Sequence, residues 1–435
     1  MKPHGTSPAS HRHVVTRRRV LACGAGALAS VTAGSWLRDL LGLGGRPEAP
    51  AEIFKGDAPS DELFGLWQRR GWAREAAHYL KLGPNVQCKV CPNNCILAPG
   101  DRSHCRNKIN RGGTLYTLAY ANPCTLHVDP VEKKPLFHFL PASATFSLAT
   151  SGCVFRCLNC QNWEISQKKP EETKNARGPE LRLGVPLPAA LTVDDIARAT
   201  LLPDDVAAFA CELKCPSVAY TYSEPTACYE YMLDTARAVR ARGLKNIVVT
   251  CGSIEERPLR GLAPFIDAAH IDLKGFDERT YARLNSGRLA PILRTLKLYH
   301  ELGIWFEVIN LVVPGYTDDL DTIKRMCGWL VENLGPDRPL HFSRFFPQHK
   351  LEHLEPTPVD TLLRAREIAR AAGLRFVYVG NVPGLRDTEN TLCPRCGRAV
   401  VERRVFAVLR NDIEAGCCRF CRTPIAGVWT AKNAG

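Results

Sequence analysis

The sequence has no block of five or more like charges, although its formal net charge is +13. Residues 1–46 hold seven Lys or Arg against the single acid Asp39, a local charge of +6 that leaves only +7 for the rest of the chain. A mildly basic body without charge runs argues against a phosphate-tracking surface, so no nucleic-acid partner is expected. The chain also lacks an uninterrupted apolar run near its start. The weakly apolar stretch from Ala22 to Leu43 is broken by Gly24, Gly26, Gly34, Arg38 and Asp39, which excludes a transmembrane helix there. Apolar residues are not scarce overall. At 45% hydrophobic content over 435 residues, global disorder is excluded and two or three domains are expected. Nor does the pattern of its 19 cysteines suit a disulfide framework, because several stand as C-x2-C pairs in a long chain, which favours metal binding. Such ligands must be thiolates, so the protein should mature where thiols stay reduced.

The most informative stretch is Ser151-Gly152-Cys153-Val154-Phe155-Arg156-Cys157-Leu158-Asn159-Cys160-Gln161-Asn162-Trp163. Cys153, Cys157 and Cys160 follow the alternating run Ala144–Thr150, which reads as a strand, so they occupy the loop at its C-terminal end. A cubane iron–sulfur cluster normally takes four thiolates, and three without a fourth nearby leave one iron open to a ligand. An open position is what makes a metal site reactive. A zinc knuckle completed from elsewhere is the plainer alternative. The spacing in a strand-to-helix loop resembles the signature of the radical S-adenosylmethionine (radical SAM) superfamily.

Around this loop the chain reads as four parts: a leader and linker over 1–51, a helical and Cys-rich region over 52–140, a barrel over 141–386 and a Cys-paired module over 387–435. Thr16-Arg17-Arg18-Arg19-Val20-Leu21 resembles a twin-arginine export motif, and Ala49-Pro50-Ala51 offers small residues for cleavage. Such a leader implies assembly in the cytoplasm followed by export, whereas S-adenosylmethionine and low-potential electron donors belong to the cytoplasm, so the compartment stays open. Apolar spacing from Asp61 to Leu80 predicts an amphipathic helix. Cys88, Cys91, Cys95 and Cys105 then stand within 18 residues among Pro and Gly turns, a loop-wrapped site for zinc or an auxiliary cluster, with an unmetallated structural module as the alternative. Cys124 reads as a buried thiol. The segment Asp129–Leu140 leads into the first barrel strand, where it lines the mouth of the site or caps the barrel's bottom.

Residues 167–190 read as an irregular excursion and Thr192-x-x-Asp195 as a capping-box-like helix start. Strands are then expected at 217–222, 246–250, 268–273, 304–313, 339–346 and 375–379, with helices between them: an α/β parallel sheet whose chemistry collects at the strands' C-terminal ends. Cys393, Cys396, Cys418 and Cys421 form two knuckles of a zinc-ribbon-like module, with Cys417 as the spare; a rubredoxin-like iron site uses the same knuckles.

Glu224, in Tyr222-Ser223-Glu224-Pro225, stands at a strand end just before a helix. It either holds a cationic amine or meets the helix dipole. Thr250-Cys251-Gly252 and Asp272-Leu273-Lys274 occupy the next two strand ends. They supply ribose hydroxyl and carboxylate contacts, or are turn chemistry and an ion pair. Gly380-Asn381 follows the last strand and would close over adenine or the substrate pocket.

Together these residues resemble the pyruvate formate-lyase-activating-enzyme branch of the radical SAM superfamily, and more specifically the radical SAM enzyme of the AmmeMemoRadiSam system. The resemblance spans about residues 85–425. It rests on Cys88-x2-Cys91-Pro92-x2-Cys95, Asp129-Pro130-x-Glu132-Lys133-Lys134-Pro135-Leu136-x-His138-Phe139, Cys153-x3-Cys157-x2-Cys160-Gln161-Asn162 and His341-Phe342-Ser343-Arg344-Phe345-Phe346-Pro347, extended by the Gly380-Asn381 loop and the terminal pairs. The superfamily's Gly-Gly-Glu turn is here Tyr222-Ser223-Glu224, and its Thr-Asn-Gly is Thr250-Cys251-Gly252, so glycine's backbone freedom is lost where the cofactor is posed.

The resemblance implies a partial (β/α) TIM-like barrel of the radical SAM type. It further implies a [4Fe-4S] cluster held by Cys153, Cys157 and Cys160, with S-adenosylmethionine on the fourth iron. One electron from a donor such as flavodoxin or ferredoxin would cleave that cofactor to a 5′-deoxyadenosyl radical that takes hydrogen from a protein or small-molecule substrate. Glu224, Ser223, Thr250, Gly252, Asp272, Lys274 and Asn381 would contact the cofactor, and AMMECR- and Memo-type proteins would be partners. A glycyl-radical activase, a non-enzymatic iron–sulfur or zinc protein, and a zinc-ribbon nucleic-acid binder are the competing readings.

Overall fold

Strand Ser217–Tyr220 is buried at all four positions, and Ala144–Ala149 at five of six. Uninterrupted burial of this kind belongs to strands covered on both faces, as in parallel sheets with helices on either side. The computed structural model describes residues 51–175, 200–382, 384–385 and 387–430. The leader, the greater part of the 167–190 excursion and the helix start at Thr192–Asp195 lie outside the described residues.

The main sheet has eight strands: β1 (Thr125–Pro130), β2 (Ala144–Ala149), β3 (Ser217–Tyr220), β4 (Lys245–Thr250), β5 (Ala268–Asp272), β6 (Trp305–Val312), β7 (Leu340–Arg344) and β8 (Val377–Gly380). They lie side by side in sequence order. β1 pairs antiparallel with β2, and every later neighbour is parallel. The N-terminal region contributes α1 (Asp61–Arg69), and α2 (Pro203–Glu212) precedes β3. Between the later strands run α3 (Tyr229–Ala241), α4 (Glu256–Leu262), α5 (Leu289–Glu301), α6 (Leu320–Leu334) and α7 (Val359–Ala371). Strands joined by returning helices put all their C-terminal ends on one edge. No helix among the described residues is long and apolar enough to cross a membrane.

The strand and helix positions read from the sequence hold to within a few residues. The helix expected over Asp61–Leu80 does not. α1, capped by the Ser60 hydroxyl, stops at Arg69, and Gly71 turns the chain with φ of +74°. Beyond it Ala73, Ala76 and Ala77 flank the two-residue strand Arg74–Glu75 and Leu80 falls in the strand Tyr79–Leu82, members of two three-stranded sheets. Their spacing imitated a helix because two-residue strands show no alternation. β1 was also not anticipated as a member of the main sheet.

Candidate active site

Gly152 begins the three-cysteine loop with φ of +85°, and a Cβ there would stand 2.3 Å from the Cys105 carbonyl oxygen. Only glycine fits, so the loop packs directly on the N-terminal cysteine region. Asn107 fixes the contact by donating from Nδ2 to the Ser151 carbonyl at 2.6 Å. The three loop thiols are half-exposed and face one cavity of about 770 Å³. The Phe155 N–H donates to Cys153 Sγ at 3.4 Å, Asn285 Nδ2 donates to Cys157 Sγ at 3.2 Å, and Cys160 Sγ lies 3.2 Å from Ser166 Oγ. Hydrogen bonds to sulfur of this sort set the potential of a bound cluster. Burial pushes the Cys157 thiol up to about 11, against the pull of the Lys274 charge, and pushes Cys153 well above its usual value. Without a metal Cys153 and Cys157 therefore hold their protons, which binding would displace.

The same cavity is lined by Ser223, Glu224, Thr250, Asp272, Lys274 and Asn381, so six of the seven cofactor contacts expected from the sequence meet there. Gly252 sits behind the wall, where a Cβ would press on Ile271 and Ile292 at 3.1 and 3.3 Å. Glu224 caps the short turn Pro225–Cys228 through the Thr226 N–H at 3.1 Å. It also accepts from Thr250 Oγ1 at 2.7 Å and the Cys251 N–H at 2.8 Å. A carboxylate offers about four acceptor sites, so three donors leave room for one more cation on the cavity side. Asp272 and Lys274 form an ion pair at 2.8 Å, extended by His270 Nε2 at 3.2 Å. Asn381, in the left-handed region at φ of +60°, donates to Ser343 Oγ at 3.0 Å.

In the Tyr222-Ser223-Glu224 turn the left-handed residue is Tyr222, at φ of +65°, a conformation costly for an aromatic side chain. Its hydroxyl hydrogen-bonds Asp129 Oδ2, and Lys134 lies 4.5 Å from its ring. Asp129 also takes Lys133 at 2.8 Å and Lys134 at 2.5 Å. Burial alone would raise the Asp129 carboxyl, but the Lys134 charge and the bonds from both lysines and Tyr222 hold it well below the usual range. Burial lowers Lys134 to about 8. The charged head of the 129–140 segment thus lines the site. Its aromatic tail also ties the sheet together: Phe137, still on the cavity wall, and His138 donate their backbone N–H groups to Glu307, and Phe139 bridges to Val428 of the C-terminal module.

Sequence reasoning missed Asn285, Ser166, Tyr222 as a side chain, and Cys251, a fourth thiol on the wall. Cys251 is 5% exposed, so the three loop thiols are the ones open to the cavity. Asn285 ends the π-helical segment Tyr281–Asn285 between β5 and α5 and carried no local signal; the Asn in Cys160-Gln161-Asn162, by contrast, donates to the Tyr222 carbonyl at 2.8 Å. A three-thiol loop with sulfur-directed donors, facing a carboxylate with spare acceptor capacity, fits a cluster that carries an amino-acid-type ligand.

The other cysteines form two separate groups. Cys393, Cys396, Cys418 and Cys421 have all four sulfurs within 4.8 Å of one another. Cys417 is outside that group. Cys88, Cys91, Cys95 and Cys105 are all buried; burial pushes the Cys91 thiol well above its usual value, and charge on any of the other three would push it further. Cys124 is buried as well.

The description of the Radical SAM superfamily matches residues 147–327. Over 351 residues, 80% of this chain and 97% of the relative, the sequence is 42% identical to an uncharacterized protein of Methanocaldococcus jannaschii. Among solved structures, a domain of the pyruvate-formate lyase-activating enzyme from Bacteroides vulgatus is 17% identical with a TM-score of 0.33, covering 38% of this chain and 98% of that one. SuiB of Streptococcus suis, solved bound to S-adenosylmethionine, is 14% identical with a TM-score of 0.39, covering 60% of this chain and 56% of that one. The three-cysteine loop at the end of β2, the α/β sheet that presents it, the family match over 147–327 and the relative 42% identical over 80% of this chain agree: the chain belongs to the radical SAM superfamily and is an enzyme.

Proposed function

We propose that this enzyme acts in an AmmeMemoRadiSam-type system, abstracting hydrogen from a protein or small-molecule substrate bound in the cavity above Cys153, Cys157 and Cys160. The single observation that carries the reading is that these three thiols and the carboxylate of Glu224 open on one cavity of about 770 Å³. When bound and reduced by a flavodoxin- or ferredoxin-type donor, a [4Fe-4S] cluster on the three thiols supplies the electron that cleaves S-adenosylmethionine to methionine and a 5′-deoxyadenosyl radical.

The chain's own residues do the rest. Glu224 would hold the ammonium of the bound cofactor, its carboxylate oriented by Thr250, Thr226 and Cys251. Asp272 and Lys274, neutralising one another, offer a hydroxyl-binding edge to the ribose. Asn381, Phe342 and Phe346 close the side of the cavity toward β7 and β8, keeping water from a reactive radical. Lys134 and Tyr222, tied to Asp129, present the polar wall to which the substrate is held.

The open parallel sheet is read as the partial barrel of this superfamily. The four C-terminal sulfurs are read as a structural zinc site, since tetrahedral thiolates about 2.3 Å from one ion stand just under ~4 Å apart. Cys393 to Cys421 and Cys396 to Cys418 measure 3.5 and 3.8 Å. AMMECR- and Memo-type proteins are the proposed partners, and the arginine-led segment at 16–21 is proposed as an export signal. A Cys157→Ala variant is expected to form no 5′-deoxyadenosine under reducing anaerobic conditions, measured by chromatography against wild type. Retained turnover of S-adenosylmethionine would refute the reading.

A further inference from the structure

Cys88, Cys91, Cys95 and Cys105 take no part in the chemistry above, yet all four are buried, at 5–8% exposure, and unpaired by disulfides. The backbone wraps them tightly. The Cys88 N–H donates to the Cys95 carbonyl at 2.9 Å, the Asn94 N–H turns back to the Cys91 carbonyl at 3.1 Å, and Ser103 Oγ lies 3.2 Å from Cys105 Sγ. Four buried thiols gathered from eighteen residues by one tightly wrapped loop are a ready-made ligand set. The two metals that accept four cysteines ask different spacings of their sulfurs. The C-terminal sulfurs close to the distance a single zinc ion requires; among the described residues these four N-terminal sulfurs form no such compact group. A cubane, with an iron at each of four corners, spreads its thiolates wider than one ion does.

The location gives the site a role. The carbonyl of Cys105 is so close to Gly152 that no side chain fits between them. Arg156 ties the two cysteine loops together, donating to the carbonyl of Cys153 at 3.3 Å and to that of His104. Asn93, between Cys91 and Cys95, donates to the Val154 carbonyl at 2.9 Å. A ligand of each cysteine set therefore stands on touching backbone, with no solvent gap to cross. Beneath the N-terminal set, the buried Lys108 ammonium pairs with Glu230 at 2.7 Å, placing fixed charge beside thiols that would otherwise face an apolar core.

We propose that Cys88, Cys91, Cys95 and Cys105 hold a second [4Fe-4S] cluster that relays single electrons to the cluster on Cys153, Cys157 and Cys160. The relay rests on the radical SAM reading of the second site; the metal assignment does not. A reduced flavodoxin- or ferredoxin-type donor is oxidised by one electron, the N-terminal cluster accepts it, and the same electron passes on through the Cys105–Gly152 contact. No proton or bond moves in the transfer.

The test uses the full chain and two triple variants, reconstituted anaerobically with iron and sulfide and then desalted. The variant Cys153→Ala, Cys157→Ala, Cys160→Ala is expected to keep about four irons and four sulfides per chain and to show a cluster signal by electron paramagnetic resonance after reduction. Wild type should hold about twice that iron. An iron-free variant, with zinc or with no metal at the N-terminal set, overturns the assignment. For the relay, the reduced wild-type spectrum should be broader than the sum of that variant's and the one from Cys88→Ser, Cys91→Ser, Cys95→Ser, because adjacent spins couple. A simple sum overturns it. The two readings fail separately: a second cluster in a protein that never cleaves S-adenosylmethionine refutes the proposed function, whereas cleavage by a four-iron protein refutes this inference.

Discussion

Glu224 is 3% exposed, and a carboxylate that deeply buried is tolerated only where donors answer its charge. Thr226, Thr250 and the Cys251 N–H do so, and the geometry keeps one acceptor position free. Glu224→Gln removes the charge and turns an amide N–H toward the Cys251 N–H. A charge-assisted hydrogen bond contributes about 1.5–3 kcal/mol, so S-adenosylmethionine binding to the reconstituted protein should weaken by roughly 10- to 100-fold. Cluster iron content should stay the same, since Glu224 is not a cluster ligand; calorimetry and iron analysis read the two quantities independently. At this scale the cysteines were legible because ligand spacing is written in the chain. Tyr222 was not. Its positive φ falls on a residue that disfavours it, and the compensation, a hydroxyl bond to Asp129 across 93 residues, leaves no local trace.

Among the elements, the cluster loop is the one with least latitude. Gly152 has both a left-handed backbone and a carbonyl where its Cβ would go, so Gly152→Ala combines about 1–2 kcal/mol of backbone cost with a contact that must be relieved by moving Cys105 or Cys153. The expected outcome is a lower melting temperature together with loss of reconstituted iron; a variant that melts and loads like wild type would show that the two loops are not braced on each other. The buried strands of the parallel sheet were readable because burial on both faces is a local pattern, and so were helix ends such as Gly243 and Gly373, which follow α3 and α7 with φ of +74° and +106°. The N-terminal hairpins were not, because strands of two to four residues give too short a pattern to tell from a helix.

For the whole molecule, what escaped the sequence is how the C-terminal module seats. Arg403 donates to the Phe137 carbonyl at 2.6 Å, the Val428 N–H donates to that of His138 at 2.7 Å, and His138 Nδ1 lies 2.6 Å from the Ala426 carbonyl. These contacts join residues more than 260 positions apart. They bring Glu389, Val405 and Phe406 to the cavity rim, so the module helps shape what the site admits. The parallel sheet, the three-thiol loop and the cavity at the strand ends are the parts on which the proposed radical chemistry rests. The most direct measurement is anaerobic reconstitution of the protein, reduction with dithionite, addition of S-adenosylmethionine and quantification of the nucleoside products. The account predicts 5′-deoxyadenosine and methionine in equal amounts; a fully loaded, reduced cluster that neither binds nor cleaves S-adenosylmethionine would contradict it.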